Sequence, residues 1–439
     1  MTHATSLSRG GVNPPDNSLT SRTAAISNAA VPSLAVIPLL QHAGSAARCV
    51  VKPGDLVGEG MLIGKADGVH SANVHSSIPG RVLEVRAWQA PDGPPCQAVV
   101  IELLGAFEKS GRRQEMRVWE SLPRIDVLGR IQAAGVVGLG GEQVPTHLKL
   151  AMAPGRAVSL LVANGVSCEP SLSADYALMK EKAREIVEAM KICRALLNPA
   201  RMVLALGENA EDLVAEFERT FRTCGMTSEI VLMPSRYPQG NEQILLSSLD
   251  GTGLLSPPPS SSVVLNVATL NAVYEAVVFD RPLIERVLTV TGLPVAEPRN
   301  LKVRLGVRIG DLFDECGGLT AEIAKVVAGG PMRGVTVDSL DMPVTKGTLG
   351  VVAFSRAEAR ARRQWPCIRC GACIEVCPWD LEPTRLYKLI EQGDTATAER
   401  EGLSRCTECG CCAFACPSHI PLVALLRAGK EARNRGSHG

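Results

Sequence analysis

One spacing, written twice toward the C-terminal end, constrains this chain more than anything else in it. Cys367, Cys370, Cys373 and Cys377 stand before Pro378, and Cys406, Cys409, Cys412 and Cys416 stand before Pro417. Each run reads C-x2-C-x2-C-x3-C-P, the bacterial-type signature of a pair of [4Fe–4S] clusters. Soft thiolates suit iron, and three of them two residues apart can wrap one face of a cubane. The fourth, next to proline, turns away and reaches the other cluster. Crossed ligation is therefore expected, with Cys367, Cys370, Cys373 and Cys416 on one cluster and Cys406, Cys409, Cys412 and Cys377 on the other. Cys411 lies between ligands and is expected to hold no iron. Zinc sites close with four ligands in C-x2-C pairs or with histidine, not with this doubled run.

Nine of the 15 cysteines fall within residues 367–416, which speaks for metal in a reducing compartment and against a dispersed disulfide framework. The 46 Lys and Arg against 45 Asp and Glu leave a formal charge of +1. That balance excludes the broad basic footprint of a nucleic-acid-coating protein, so no nucleic-acid partner is expected. The longest apolar runs, Leu34–Leu40 and Ile420–Leu426, are short and each contains a proline. Crossing a bilayer takes about 18 apolar residues or more, so an integral span is excluded and a peripheral membrane role is not.

With 439 residues, 46% of them hydrophobic, the chain can build several cores. Residues 1–30, rich in Ser, Thr and Ala, read as a disordered tail. From 31 to 105, Val- and Ile-rich runs are broken by turn signals such as Lys52-Pro53-Gly54-Asp55 and Ile78-Pro79-Gly80, which predicts a small all-β unit. Between 118 and 280 strand-like stretches (Ser159–Ala163, Met202–Leu206, Glu229–Met233) alternate with helical ones (Asp175–Leu197, Ala210–Cys224). That alternation marks an α/β layered domain. Short strands return over 285–355, with turns at Cys316-Gly317-Gly318 and Gly329-Gly330-Pro331, and predict a small β-rich, β-grasp-like domain. A basic helix is expected at Arg356–Gln364. It leads into an α-rich ferredoxin-like module over 360–430, with Pro383–Gly402 helical and 431–439 a tail. The expected fold class is thus multidomain α/β and β with an α-rich two-cluster module.

Early in the α/β domain, Val136-Val137-Gly138-Leu139-Gly140-Gly141-Glu142-Gln143-Val144-Pro145-Thr146-His147-Leu148-Lys149 forms a glycine-rich loop. Its glycines would let backbone N–H groups close on a phosphate or a flavin, and alone they would serve equally as a tight turn. Asn164 with Glu169-Pro170, and Tyr237-Pro238-Gln239-Gly240-Asn241-Glu242, accompany it. Together these segments resemble the flavin-bearing NADH-oxidising subunit of respiratory complex I, in which a G-x-G-G…P-T-x-x-K loop cradles FMN. The order of parts along residues 31–430 resembles the C subunit of the Rnf ion-translocating electron-transport complexes. Gln41-His42, Val74-His75-Ser76, Gly329-Gly330-Pro331-Met332 and Pro343-Val344-Thr345-Lys346-Gly347-Thr348 support it. One departure is that Glu142 and Gln143 stand where the complex I pattern has small residues.

The resemblance implies a barrel-sandwich N-terminal unit, an FMN site and NADH as substrate. Gly138, Gly140, Gly141, Asn164 and Glu242 carry over as flavin-site residues, with Lys149 as a phosphate partner. It implies an oxidoreductase and translocase subunit, peripheral on the cytoplasmic face of a bacterial inner membrane. Electrons would move between FMN and two clusters, with other membrane subunits and ferredoxin or a ferredoxin-like subunit as partners. Two rivals stand beside it: a soluble flavin/iron–sulfur reductase of the cobalamin-reductase type, and a non-catalytic electron-transfer scaffold. Hydride transfer to a flavin needs no protein acid at the reacting carbon, so no catalytic side chain is assigned.

Other residues read more plainly. The 51–82 segment resembles a biotinyl or lipoyl carrier, but Lys65 lacks the flanks such a modification uses. His42, His70, His75 and His147 have no metal-ligand spacing and read as structural. Cys168, beside Glu169-Pro170, reads as a small buried filler, since free cysteine is usually buried and inert.

Overall fold

The computed structural model describes residues 2–3, 10–16, 18–90, 94–104, 116–151, 157–251, 261–359 and 363–436. The N-terminal β unit packs two small sheets. Four strands run in the order Leu34–Pro38, Pro95–Leu103, Gly80–Gln89 and Leu56–Val57, all antiparallel. Arg48–Cys49, Leu62–Lys65 and Val74–His75 form the second sheet. Between them Ile37, Ile63, Ile78, Val82, Val99 and Ile101 are buried, β-branched side chains suited to a pleated, half-buried surface.

The α/β domain carries a fully parallel sheet in the order Thr2–His3, Glu229–Met233, Arg201–Gly207, Leu160–Gly165, Ser262–Asn266. Helices cover it, so its strands are apolar on both faces, as parallel sheets require. The order reverses between Leu160–Gly165 and Ser262–Asn266, because the chain first builds outward through Arg201–Gly207 and only then returns. The crevice at such a switch point, beyond the carboxyl ends of the strands, is where open α/β sheets bind ligands.

The helix expected over Asp175–Leu197 is two helices, Ala174–Glu181 and Ala183–Leu197, broken at Lys182 (φ −126°). Each half answers to a different neighbour. The first is pinned by Thr289 Oγ1, which accepts from Ser173 N and Ala174 N at 2.9 Å. The second buries Ile186, Val187, Met190, Cys193 and Leu197 along one face, at the three-to-four spacing of an amphipathic helix.

A six-stranded mixed sheet makes the third unit: Val335–Thr336, Ile323–Ala328, Gly350–Ser355, Glu285–Thr291, Arg299–Arg304, Ser27–Asn28. The two-cluster module is helical, with Ala372–Glu375, Pro383–Glu391, Thr395–Arg400, Cys411–Ala415 and Leu422–Gly436.

Three expectations about the ends and joints need correction. Residues 10–30 are not a free tail. Val12 pairs with Tyr237, Gly11 N donates to Val376 O at 2.9 Å, and Ser27–Asn28 adds an edge strand to the third sheet. Backbone hydrogen bonds to three separate units hold a segment that composition alone marks as loose. The helix expected at Arg356–Gln364 is a turn over Arg356–Glu358 with no regular structure at 363–364, and 360–362 lie outside the described residues. At the other end the helix Leu422–Gly436 continues past residue 430, so the expected tail begins in a helix.

Candidate functional site

Two asparagines end the strands that flank the switch point, Asn164 on Leu160–Gly165 and Asn266 on Ser262–Asn266. Asn266 caps the helix Val267–Phe279, its Oδ1 accepting from Ala268 N at 2.8 Å, and its Nδ2 donates to Asp175 at 2.7 Å. Asn164 Nδ2 donates to Gly240 O at 3.0 Å, which draws the Tyr237–Glu242 segment over the sheet edge. Between them opens a cavity of about 630 Å³.

The glycine-rich loop forms one wall. Gly138 N donates to Val144 O and Gln143 N to Gly138 O, closing a tight turn, while Leu139 N is held by Thr269 Oγ1 at 2.8 Å. Gly140 and Gly141 line the cavity, and Gly141 takes φ +109°, a conformation that favours glycine. A Cβ on Gly141 would meet nothing but Leu349 Cδ1, at 3.8 Å, so it would project into free space. A Cβ on Gly140 would press on Asn266 at 3.0 Å. Gly138 shapes the turn without lining the cavity.

Lys149 is engaged. Its Nζ donates to Glu242 at 2.7 Å and Glu142 at 3.1 Å, and neither the lysine nor these two carboxylates line the cavity. Burial pulls the lysine pKa down, but the two carboxylates outweigh it and the net displacement is upward. Burial, with Glu142 alongside, holds the Glu242 carboxyl above the usual range despite the lysine. The departure from the small-residue pattern is thereby absorbed: Glu142 turns to Lys149, and Gln143 (φ +54°) lies against Gly347, where a Cβ would come within 2.4 Å of its Nε2.

Asp175, Asn266 and Arg286, which the sequence reading did not single out, also face the cavity, as do Glu169 and Tyr237 of the accompanying segments and the cluster cysteine Cys409. Burial raises the Asp175 carboxyl and lowers the Arg286 guanidinium to about 10, and each offsets part of the other's shift within electrostatic reach. Glu169 accepts from Met332 N at 3.2 Å and Arg333 N at 3.1 Å, clamping the Gly329–Gly330 turn of the third unit onto the cavity. Gly330 must be glycine for this, since a Cβ would fall 2.0 Å from Glu169 Oε2. Burial lifts Glu169 to about 7. The available signal for Asn266 was its place, a polar residue ending an apolar strand before a helix. Nothing local marks Arg286, which enters from the third unit. Cys168, expected as a buried filler, is half-buried and lines the cavity, and desolvation pushes its thiol up to about 12. His42 and His75 are buried, and burial holds them down at about 4 and 3.

The far wall belongs to the cysteine module. Tyr237 Oη donates to Cys409 O at 2.6 Å, and Cys409 lines the same cavity. Gly410 (φ +85°) lies against Met332 O, which a Cβ would approach to 2.8 Å. Arg427 and Lys430, on the C-terminal helix at the rim, both hold Glu408, at 2.8 and 3.0 Å. Cys377 packs with Cys406 and lies within electrostatic reach of Cys409 and Cys412. Cys367, Cys370, Cys373 and Cys416 line a second, separate cleft of about 380 Å³. Cys411 is fully buried beside Val12 and Tyr237. Among the described residues no three His, Cys, Asp or Glu side chains converge as around a single ion; a cubane is held at separate corner irons.

Known proteins place these parts in one family. Residues 7–105 match the RnfC barrel sandwich hybrid domain, 131–275 the Nuo51 FMN-binding domain, 287–336 the SLBB domain and 357–417 the 4Fe-4S dicluster domain. The C subunit of the proton-translocating ferredoxin:NAD(+) oxidoreductase complex of Clostridium ljungdahlii is 36% identical over 396 residues, covering 90% of this chain and 86% of that one. The C subunit of the ion-translocating oxidoreductase complex of Rhodobacter capsulatus is 35% identical over 429 residues, 96% and 82% of the two chains. The C subunit of the Na(+)-translocating ferredoxin:NAD(+) oxidoreductase complex of Acetobacterium woodii is 32% identical over 389 residues, 88% and 87%. Among solved structures, an NAD+-reducing [NiFe]-hydrogenase in the H2-reduced state shares the fold at 20% identity and a TM-score of 0.51, over 70% of this chain and 63% of that one. The identity and coverage of these relatives, with the match to the RnfC barrel sandwich hybrid domain, make this chain a member of the family of Rnf complex C subunits.

Proposed function

We propose that this chain is the peripheral electron-transfer subunit of an ion-translocating ferredoxin:NAD oxidoreductase, working from the cytoplasmic face of the membrane. One observation carries the reading: the cavity at the switch point of the flavin-type domain has Cys409 of the second cysteine run in its wall. FMN and two [4Fe–4S] clusters are its cofactors, NADH its nicotinamide substrate, and the membrane subunits and ferredoxin its partners. Among the described residues no helix is long and apolar enough to cross a membrane, so the ion path belongs to the partners.

The residues present fit the flavin. The free space over Gly141 is a cradle that a side chain would fill, and Gly140, Asn164 and Asn266 surround it with backbone and amide groups. Gly138 and Gln143 hold the loop in shape, and the Lys149–Glu242 pair braces it from behind. FMN, when bound, takes up a hydride as an electron pair and gives up single electrons. The chain's part is to present the cradle and to fix Cys409 beside it through Tyr237. Cys367, Cys370, Cys373 and Cys416 would hold one cluster and Cys377, Cys406, Cys409 and Cys412 the other, all soft thiolate donors. The shared cleft of the first four, and the packing of Cys377 with Cys406, support that crossed sharing. We read the small sheet over 285–355 as β-grasp-like.

The soluble cobalamin-reductase reading finds no use for the barrel-sandwich domain, which belongs to the Rnf pattern. The scaffold reading rested on Glu142 and Gln143; Glu142 is paired with Lys149 outside the cavity, and Gln143 lies against Gly347 in the cavity wall. Flavin titration tests the choice. The wild-type chain should bind one FMN with quenched fluorescence, and Gly141→Val should not bind it. A wild-type chain that takes up no FMN returns the scaffold reading.

A further inference from the structure

Of the eight cluster cysteines Cys370 alone is exposed; Cys367 and Cys406 are half-buried, and Cys373, Cys377, Cys409, Cys412 and Cys416 are buried. The exposed thiol sits in a stretch, residues 363–370, that is open to solvent along nearly all its length. Trp365 is 51% and Ile368 67% exposed, large apolar surface in a place where folding alone would hide it. The stretch is firmly held: Trp365 N donates to Ser418 O at 2.9 Å, and Ser418 Oγ to Pro366 O at 3.0 Å, two residues beyond Cys416.

Its charge is one-sided. The Arg363 guanidinium lies over the Trp365 ring, 4.4 Å from its centre, and Arg369 and Lys388 border the cleft that Cys370 lines. Among the described residues none of these three cations has a carboxylate at ion-pair distance. Arg385, also there, is committed to Glu401, and Glu382 is the one carboxylate in the cleft wall. A rigid aromatic and aliphatic pair ringed by unpaired cations is the composition of an interface core and rim that attract an acidic face.

We infer that residues 363–370 are the docking face for a protein partner that presents acidic side chains around its own one-electron centre. The inference rests on the electron-transfer reading above and locates the port that reading leaves open. The exchange makes and breaks no bond and moves no proton: one electron leaves this chain and reduces the partner's centre, or returns by the same route. An anionic lipid surface would also suit arginines and a tryptophan. It offers no electron acceptor, however, and so gives no reason for a cluster-binding thiol to be exposed at that point.

The test uses the full chain with FMN and both clusters, reduced by dithionite, so that a failure of NADH oxidation would leave the docking measurement intact. The probe is an oxidised acidic [4Fe–4S] ferredoxin, mixed rapidly at low and high salt. Arg363→Glu/Arg369→Glu should slow the second-order rate about tenfold or more at low salt and flatten its salt dependence. Ile368→Asp should slow it as well. Iron content, the spectrum of the reduced clusters and the rate of reducing a small neutral quinone should stay at wild-type values. A Lys180→Glu control, on the helix Ala174–Glu181, should behave as wild type. Equal rates and salt slopes in wild type and both variants would overturn the inference. So would variants that lose binding to anionic phospholipid vesicles while keeping the ferredoxin rate.

Discussion

At the scale of single residues, the cysteines carry sharply separable expectations. Cys377 sits in the first run but packs with Cys406 of the second. Cys377→Ser should therefore deplete the cluster served by Cys406, Cys409 and Cys412 and leave the Cys367 cluster intact. Mössbauer or EPR spectra of the reconstituted variant, with iron counted, would show which set is lost. Cys411→Ser, by contrast, should keep about eight irons per chain, the complement of two [4Fe–4S] clusters. Its side chain is spent on packing against Val12 and Tyr237, so the change should be felt as a modest loss of stability. The cysteine spacing was legible because ligation imposes it locally. Arg286 was not, because it enters from the third sheet; Glu169 was quoted beside Asn164, but its reach to the amides of Met332 and Arg333 in another unit was not readable.

At the scale of elements, helix starts do much of the positioning. Asn241 caps Glu242–Asp250, its Oδ1 accepting from Gln243 N at 3.1 Å and Ile244 N at 3.4 Å. The cap fixes Glu242 on the first turn, where its carboxylate meets Lys149. Asn241→Ala should cost about 1 kcal/mol of stability by denaturant titration. It should also weaken FMN binding, because the Tyr237–Glu242 segment loses its anchor. Parallel strands were readable as apolar runs between helical patterns. The break at Lys182 was not, since the apolar periodicity continues across it. The same holds for residues 10–30, whose composition gives no sign of the backbone bonds that tie them down.

At the scale of the whole molecule, Lys346 is a joint between units. It is fully buried, and its Nζ donates to Asn73 O of the β unit and Gly135 O of the α/β domain, both at 2.8 Å. Burial lowers its pKa from 10.5 to about 7. The unfolded chain thus binds a proton between about pH 7 and 10.5 that the folded chain releases, and stability should rise with pH across that window. Lys346→Met should abolish the rise. It should also cost roughly 2–4 kcal/mol at high pH, because two buried carbonyls lose their donor. Thermal unfolding of wild type and variant from pH 7 to 10 would measure both effects.

On the same scale, the proposed function makes the cradle, Cys409 beside it and the two cysteine sets parts of one electron path. Its most direct test is the EPR spectrum of the fully loaded chain after anaerobic addition of NADH. In wild type, NADH should produce the signal of reduced [4Fe–4S] clusters. In Gly141→Val the same addition should leave the clusters oxidised, while dithionite still reduces them, because the module folds around its own iron. Silent clusters in NADH-treated wild type, with FMN bound, would contradict the account.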